Sequence, residues 1–411
     1  MKIMDKCNEF YYNAEFSRKL GYPANPRTLQ ALGIYPYFIP IQRSEGTTII
    51  INNKKYIMIG SNNYLGLTCH PKVKEAAMKA IKDYGTGCTG SRLLNGTLKI
   101  HLELEDKLAR FVGKEKALVF STGFQANLGT ITAVIDRNSI VFTDKESHAS
   151  VIDAVFLARA QKNIKMRFFK HNDTNDLQRL LSKYSESENK LVNVDGVYSM
   201  GGDIAKLGTI IPICKRNNAM VMLDDAHGFG VLGGGSGTAS HFKLTDKIDL
   251  IMGTFSKSFA STGGFIAGNK EVIHWIQHFS RPFIFSASLP PANIATVSAV
   301  LDIIQKEPEY VKRVNDISKK MRTAFNAMGF NTGKSETPIV PIIIGNQYKT
   351  VEAWRILYEA GIFTNVALPP AVSSSSSLLR TSFMATHTDE QLERVLDVFK
   401  TLELQLKKYR F

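Results

Sequence analysis

Two hydrophobic rhythms divide the chain. Through its middle, short apolar runs recur, each closed by small or polar residues: Ala117–Phe120, Ile140–Thr143, Lys165–Phe169, Leu191–Asp195, Met220–Leu223, Asp249–Met252 and Phe265–Ala267. Runs this short, rich in Val, Ile and Phe, read as buried strands. Between them apolar residues fall at helical spacing, as at Leu177, Leu180, Leu181 and Tyr184. The alternation predicts an α/β domain whose large, mostly parallel seven-stranded sheet is covered on both faces.

The flanks follow a different rhythm. Residues before Tyr56 pattern as a helical arm and a short β element, Thr47 to Ile51 and Lys55 to Ile59, turned by Asn52-Asn53. Pro71 opens a helix with Val73, Ala76, Ala77, Ala80, Ile81 and Tyr84 on one face and Gly85 at its end; a second runs through Ile100, Leu104, Leu108 and Phe111 to Gly113. Beyond Pro290-Pro291 come a helix from Ile294 to Gln305, strands near Ile339–Ile344 and Ile362–Val366, and a final helix opened by the capping box Thr388-x-x-Gln391. The expected organisation is an arm over 1–60, a large α/β domain over 61–293 and a smaller α+β domain over 294–411. The run Ser373–Ser377 reads as a mobile connector, and no internal repeat is visible.

Composition adds three constraints. With 44% apolar and 21% charged residues over 411 positions, the chain is ordinary globular material. Its net charge of +14 suits polyanionic company such as coenzyme A, an acidic carrier protein or anionic lipid. Nucleic acid is the weakest match, because no basic block is interleaved with aromatics. Cys7, Cys69, Cys88 and Cys214 form neither a CxxC nor a zinc spacing, which predicts a reducing, cytoplasmic location and no metal site. No signal-peptide core precedes Arg18, and Ala117–Ile135 is broken by Ser121, Gly123, Gln125, Asn127 and Gly129, so it reads as strand, turn and helix rather than a membrane span. Peripheral contact with the inner face of the membrane stays open.

Ligands of an open parallel sheet sit beyond the carboxyl ends of its strands, so the residues following each run carry the chemistry. Gly85-Thr86-Gly87-Cys88-Thr89-Gly90 matches a dinucleotide fingerprint letter for letter, yet it follows a helix rather than a strand, and is read as a packing loop. Ser121-Thr122-Gly123-Phe124-Gln125 enters a helix whose first N–H groups can hold a phosphate, with Phe124 able to close over a ring; a plain tight turn is the competing reading. His148 follows the second run and is either a core histidine or a ring stacked on a flat ligand. Asp224 and Asp225 end the fifth, where they serve as helix caps or meet a positive charge such as a protonated pyridine nitrogen, with His227 able to reach a ring hydroxyl from the same turn. The sixth empties into Gly253-Thr254-Phe255-Ser256-Lys257-Ser258, a lysine among hydroxyls. Alone, such a lysine is usually solvated; beside the other strand ends it can tether an aldehyde.

In that order along the chain, these residues resemble pyridoxal 5'-phosphate (PLP) enzymes of the aspartate-aminotransferase fold (fold type I). From Asn62-Asn63-Tyr64-Leu65-Gly66-Leu67 to Met384-Ala385-Thr386-His387-Thr388 the chain is similar to the α-oxoamine synthase family, and several short stretches look closest to its bacterial serine palmitoyltransferases. The resemblance implies Lys257 as the Schiff-base lysine, Asp224 on the pyridine nitrogen, His227 and Ser199 near the ring hydroxyl and His148 stacked on the ring. Gly123, Phe124, Thr254 and Ser256 would lie near phosphate and ring, Ser286 would reach the neighbouring subunit of a homodimer, and Asn62 and Arg380 would meet the amino-acid carboxylate. Many relatives have Asp at Asn63 and Glu at Asp195. The implied activity is a decarboxylating condensation of L-serine with a long-chain acyl-CoA, or acyl carrier protein, to 3-ketodihydrosphingosine. Another α-oxoamine synthase, such as 8-amino-7-oxononanoate synthase or 2-amino-3-ketobutyrate CoA ligase, and a non-catalytic partner subunit or sensor are the alternatives.

Overall fold

The structure, a computed structural model, describes residues 2–19 and 24–408. It divides into two compact units, one made of 62–199 and 203–313, the other of 1–61, 200–202 and 314–411.

All seven expected strands form one sheet in the first unit: β1 Lys116–Phe120, β2 Ile140–Asp144, β3 Lys165–Phe169, β4 Lys190–Asp195, β5 Ala219–Asp224, β6 Leu250–Thr254 and β7 Gly264–Gly268. Their order is β1-β7-β6-β5-β4-β2-β3, with only β7 antiparallel to its neighbours. One apolar layer covers each face. Leu118, Val141, Ile266 and Met222 pack with helices Gly123–Val134 and Ala149–Lys162 on one side; Phe142, Val192, Val221 and Ile251 pack with Leu207–Arg216 on the other. Burial on both faces explains why these strands, apart from the edge strand β3 with its exposed Lys165 and Arg167, read as unbroken apolar runs rather than alternating ones. The uncharged stretch through Ile135 is indeed β1, a turn and the helix Gly123–Val134, and among the described residues no helix is long and apolar enough to cross a membrane.

Pro71–Tyr84 is a helix with Pro71 in its first turn and Gly85, at φ +80°, just past its end. Val73 and Ala80 are buried, while Ile81 and Tyr84 are 43% and 42% exposed, so the apolar stripe is only partly covered. The glycine-rich loop after it exists for packing: a Cβ on Gly90 would overlap the Asn95 side chain, and one on Gly96 would stand 2.2 Å from the Gly90 carbonyl oxygen. The helix Pro291–Lys306 belongs to this same unit because it lies against Pro71–Tyr84 and Lys99–Phe111, whereas the sequence pattern placed it in the smaller domain.

In the second unit, Thr48–Ile51 and Lys54–Met58 form a hairpin turned by Asn52 and Asn53 at φ +47° and +60°, the left-handed pair that tight hairpins require. The expected strand Ile362–Val366 is broken: Ile362–Phe363 pairs in parallel with Lys54–Met58, and Asn365–Ala367 pairs with Leu378–Ser382, a strand the pattern missed. Leu378–Ser382 also pairs with Ile339–Ile343. Ser373–Ser377 is not a free connector, since Ser377 is buried and its carbonyl accepts the Ile344 and Gly345 N–H groups at 3.0 Å each. The capping box forms as expected, with Thr388 N–H on Gln391 Oε1 at 3.1 Å and Gln391 N–H on Thr388 Oγ1 at 3.3 Å, and Leu392, Val395, Phe399 and Leu402 are fully buried.

Candidate active site

A cavity of about 320 Å3 lies at the carboxyl ends of the large sheet. β1 delivers Gly123 and Phe124 to it, β2 delivers His148, β5 delivers Asp224 and His227, and β6 delivers Thr254, Ser256 and Lys257. Eight of the residues expected from the sequence therefore share one wall system, although the first and last are separated by more than a hundred positions in the chain.

Each anchor has a local cause. The helix Gly123–Val134 is capped by Thr122, whose hydroxyl accepts the Gln125 N–H at 3.1 Å, and its N-terminal residues Gly123 and Phe124 stand at the cavity with the positive end of the helix dipole behind them. A Cβ on Gly123 would sit 2.8 Å from Thr254 Oγ1, so only glycine permits this approach of turn to strand. Thr254 donates to the Gly263 carbonyl at 3.1 Å and pairs with Ser256 Oγ at 3.0 Å, which fixes two hydroxyls beside that helix terminus. Together these groups make an anion cradle.

Asp224 is 6% exposed, and it is the cavity carboxylate of the Asp224-Asp225 pair. Its Oδ2 accepts from Asn127 Nδ2 at 2.7 Å and its Oδ1 from the Ala226 N–H at 3.0 Å. Asp225 turns away to Thr238, accepting from both its N–H and its hydroxyl at 2.6 Å. Burial pushes the Asp225 acid up to about 7 against those two donors.

The neighbours of each histidine bear on its tautomer. Asn127 gives its two amide protons to Asp224 and to Ser150 Oγ, at 2.7 and 2.8 Å, so the Ser150 hydroxyl proton goes to His148 Nδ1 at 2.7 Å. The Ser150 N–H donates to the same nitrogen at 3.2 Å. With Nδ1 an acceptor twice over, neutral His148 carries its proton on Nε2 and is a donor there. At His227 the partner is Tyr64, whose oxygen lies 2.7 Å from Nδ1 and 3.2 Å from Asn62 Oδ1; when the phenolic proton goes to Asn62, Nδ1 is the donor and Nε2 the acceptor. Changing Tyr64 to Phe keeps the shape but frees that tautomer. Turnover should fall about three- to tenfold, the worth of one buried hydrogen bond, with thermal stability little changed. Steady-state kinetics beside a melting curve checks this.

Behind the cavity lies a network the sequence did not announce. His171 bridges Asp144 and Asp203 at 3.1 Å each, and Tyr198 donates to Asp144 at 2.9 Å. Burial opposes the charge on His171, but its hydrogen bonds to both acids outweigh it and push the imidazole up to about 10. Asn127, Ser150, Tyr64 and Asp195 were likewise not assigned roles in advance. Asp195 is the exception that could have been found, since it ends a strand in the same way as Asp224.

Four expected residues lie elsewhere. Ser199 is half-buried beyond β4 and does not line the cavity. Ser286 accepts from Gln125 Nε2 at 3.0 Å and is also outside the lining. Asn62 reaches His227 through Tyr64, and Arg380 is buried on Leu378–Ser382 in the second unit. A larger groove of about 720 Å3 in that unit, between Gln347–Glu359 and Asp389–Lys408, holds no convergent chemistry, because Arg355 is committed to Glu352 and Glu359.

The residues at the strand ends fit the cofactor that the resemblance implies: a buried carboxylate for a ring nitrogen, an anion cradle for a phosphate and an amine for an aldehyde. A model of the aminotransferase class I and II family matches residues 54–399, and the chain belongs to that family. It has the family's fold-type-I architecture. More particularly, it is similar to the serine palmitoyltransferase of Bacteriovorax stolpii, with 48% identity over 368 residues, covering 89% of this chain and 87% of the relative. It is also similar to the 8-amino-7-oxononanoate synthase of Thermoanaerobacter pseudethanolicus, with 40% identity over 380 residues, covering 92% and 95%. Among solved structures, a serine palmitoyltransferase variant from S. paucimobilis with a bound PLP–myriocin aldimine superposes with a TM-score of 0.91 at 33% identity, covering 99% of this chain and 100% of that one.

Proposed function

We propose that the chain is a PLP-dependent acyltransferase that joins L-serine to a long-chain acyl-CoA, releasing carbon dioxide and coenzyme A and leaving 3-ketodihydrosphingosine. The observation that carries this reading is the convergence of Lys257, Asp224, His148 and His227 on one cavity beside an anion-binding helix terminus. Its similarity to serine palmitoyltransferase over nine-tenths of the chain gives the substrate pair.

The cofactor supplies an aldehyde carbon that captures the amino acid's nitrogen and a protonated ring that accepts an electron pair. Lys257 Nζ would hold the cofactor through its aldehyde and, when free, would be the general base for the α-proton. Asp224, held by two donors from the chain, would face the ring nitrogen. His227 would meet the ring hydroxyl. His148 would stack on the ring and offer its Nε2 proton to the thioester oxygen, on which charge develops during attack. Asn62 and Arg380 are assigned to the serine carboxylate, and Ser199 to the ring hydroxyl, on the resemblance alone. Ser286 is assigned to the phosphate held by a neighbouring subunit, a reading supported by its place outside its own chain's cavity.

A second reading, 8-amino-7-oxononanoate synthase, is favoured by the 40% identity to such an enzyme and would keep every residue named while changing the substrates. A panel of amino acids, scored first by the change in cofactor absorbance and then by coenzyme A release from acyl-CoAs of different length, separates the two. Serine with palmitoyl-CoA should give the fastest release. Faster turnover of alanine or glycine, or release from short acyl-CoA alone, would displace the proposal.

A further inference from the structure

Three acids end three neighbouring strands. Asp195 and Asp224 are register partners on the parallel pair β4 and β5, and Asp144 ends β2, whose Thr143 pairs with Asn193 of β4. Their exposures are 4%, 6% and 0%. Carboxylates so close and so dry cannot all be ionised without compensation.

Compensation is unequal. Asp144 has His171, the Tyr198 hydroxyl and the N–H groups of Glu146 and Asn172 at 2.8 and 2.7 Å. Asp224 has Asn127, the Ala226 N–H and the open cavity. Asp195 accepts the His148 N–H on Oδ2 at 3.2 Å and is otherwise met only by the neighbouring Ser147 hydroxyl, too loosely placed to make a full hydrogen bond to Oδ1. Its side chain also lines the cavity next to Asp224.

We propose that Asp195 is a positioning residue that stands as the neutral carboxylic acid of the Asp195–Asp224 pair, so that Asp224 alone carries the charge offered to the bound ring while Asp195 holds the backbone of His148 in place. The proposal rests on the cofactor reading only for what faces Asp224. The groups that face Asp195 are Asp224 on β5, Asp144 on β2, Tyr198 on the turn after β4 and His148 at the start of Ala149–Lys162, with His171 and Asp203 outside Asp144. Burial, followed by the charges of Asp224 and Asp144, drives the Asp195 acid well above the usual carboxylate range.

The sign of the pH effect follows. Unfolded, Asp195 ionises near its ordinary value; folded, it keeps its proton. Its contribution to stability is therefore full in acid and declines as pH rises from the unfolded value towards the folded one. Asp195→Asn imitates the neutral acid and does not titrate. In the protein as purified, the melting temperature of Asp195→Asn relative to wild type should climb as the pH is raised from about 4, the ordinary carboxylate value. Its PLP affinity, read by absorbance titration after cofactor removal and reloading, should stay within about threefold of wild type, whereas Asp195→Ala should lose about tenfold. A flat melting difference, an Asn variant that does not fold, or an Asn variant that binds PLP as poorly as the Ala variant would each overturn the assignment. Failure of wild type to bind PLP at all would sink the proposed function instead, leaving the melting comparison to decide the protonation of Asp195.

Discussion

Lys257→Ala should abolish covalent retention of PLP and lower turnover by about a thousandfold, within the range that a general base and covalent anchor together contribute. Lys257 is half-exposed at the mouth of the cavity, and the chain around it is held by the backbone bonds Phe255 N–H to Gly263 and Ser261 N–H to Phe255. The variant should therefore fold and melt like the parent. Treatment with borohydride should fix the cofactor to the wild-type chain and leave the variant unlabelled. Retained visible absorbance with unchanged turnover would remove Lys257 from the chemistry and with it the enzyme reading of this cavity.

Glu105→Ala should be strongly destabilising. Arg92 and Glu105 are 4% and 7% exposed and joined by two parallel bonds of 2.7 and 3.1 Å; Glu105 Oε1 also accepts the Val119 N–H at 2.9 Å, and the Arg92 guanidinium lies 5.5 Å from the Phe283 ring centre. Removing the carboxylate strands a buried cation and a strand N–H together, at a cost of about 3–5 kcal/mol. Denaturant unfolding of the parent, Glu105→Ala and the double variant Arg92→Met with Glu105→Leu tests the cause. The double variant should lose much less than the single one, since it removes both charges. If the two lose equally, packing rather than the unpaired charge is responsible.

That ion pair also shows how far the letters of the sequence reach. The loop ending in Ser91-Arg92 was separable from a dinucleotide site because it follows a helix, but nothing in it named Glu105 as the partner of Arg92. The strand ends were legible for a different reason. Buried parallel strands write their apolar runs into the sequence, and the sheet topology then requires whatever follows them to gather at one edge. Lys257, Asp224, His227, His148 and the Gly123 turn could be collected that way, each weak alone and strong in company.

The smaller unit was read less well. Its strands are short and part of one sheet is made with the N-terminal hairpin, so Ile362–Val366 looked continuous where the chain divides between two sheets, and Leu378–Ser382 escaped notice after a run of serines. The boundary helix Pro291–Lys306 was assigned by its position after Pro290-Pro291, while its unit is decided by the helices it packs against.

Sequence alone thus determined the seven strands of the large sheet, the order of the strand-end chemistry and the family resemblance, because apolar periodicity and residue type are local properties of the chain. Tertiary structure alone decided which nitrogen of His148 holds its proton, that Tyr64 pairs with His227, that Asn127 supports Asp224, and that Asp195 stands beside two other acids with the weakest set of donors. Protonation and tautomer depend on distances between groups far apart in sequence and on the exclusion of water around them, and no local pattern encodes either.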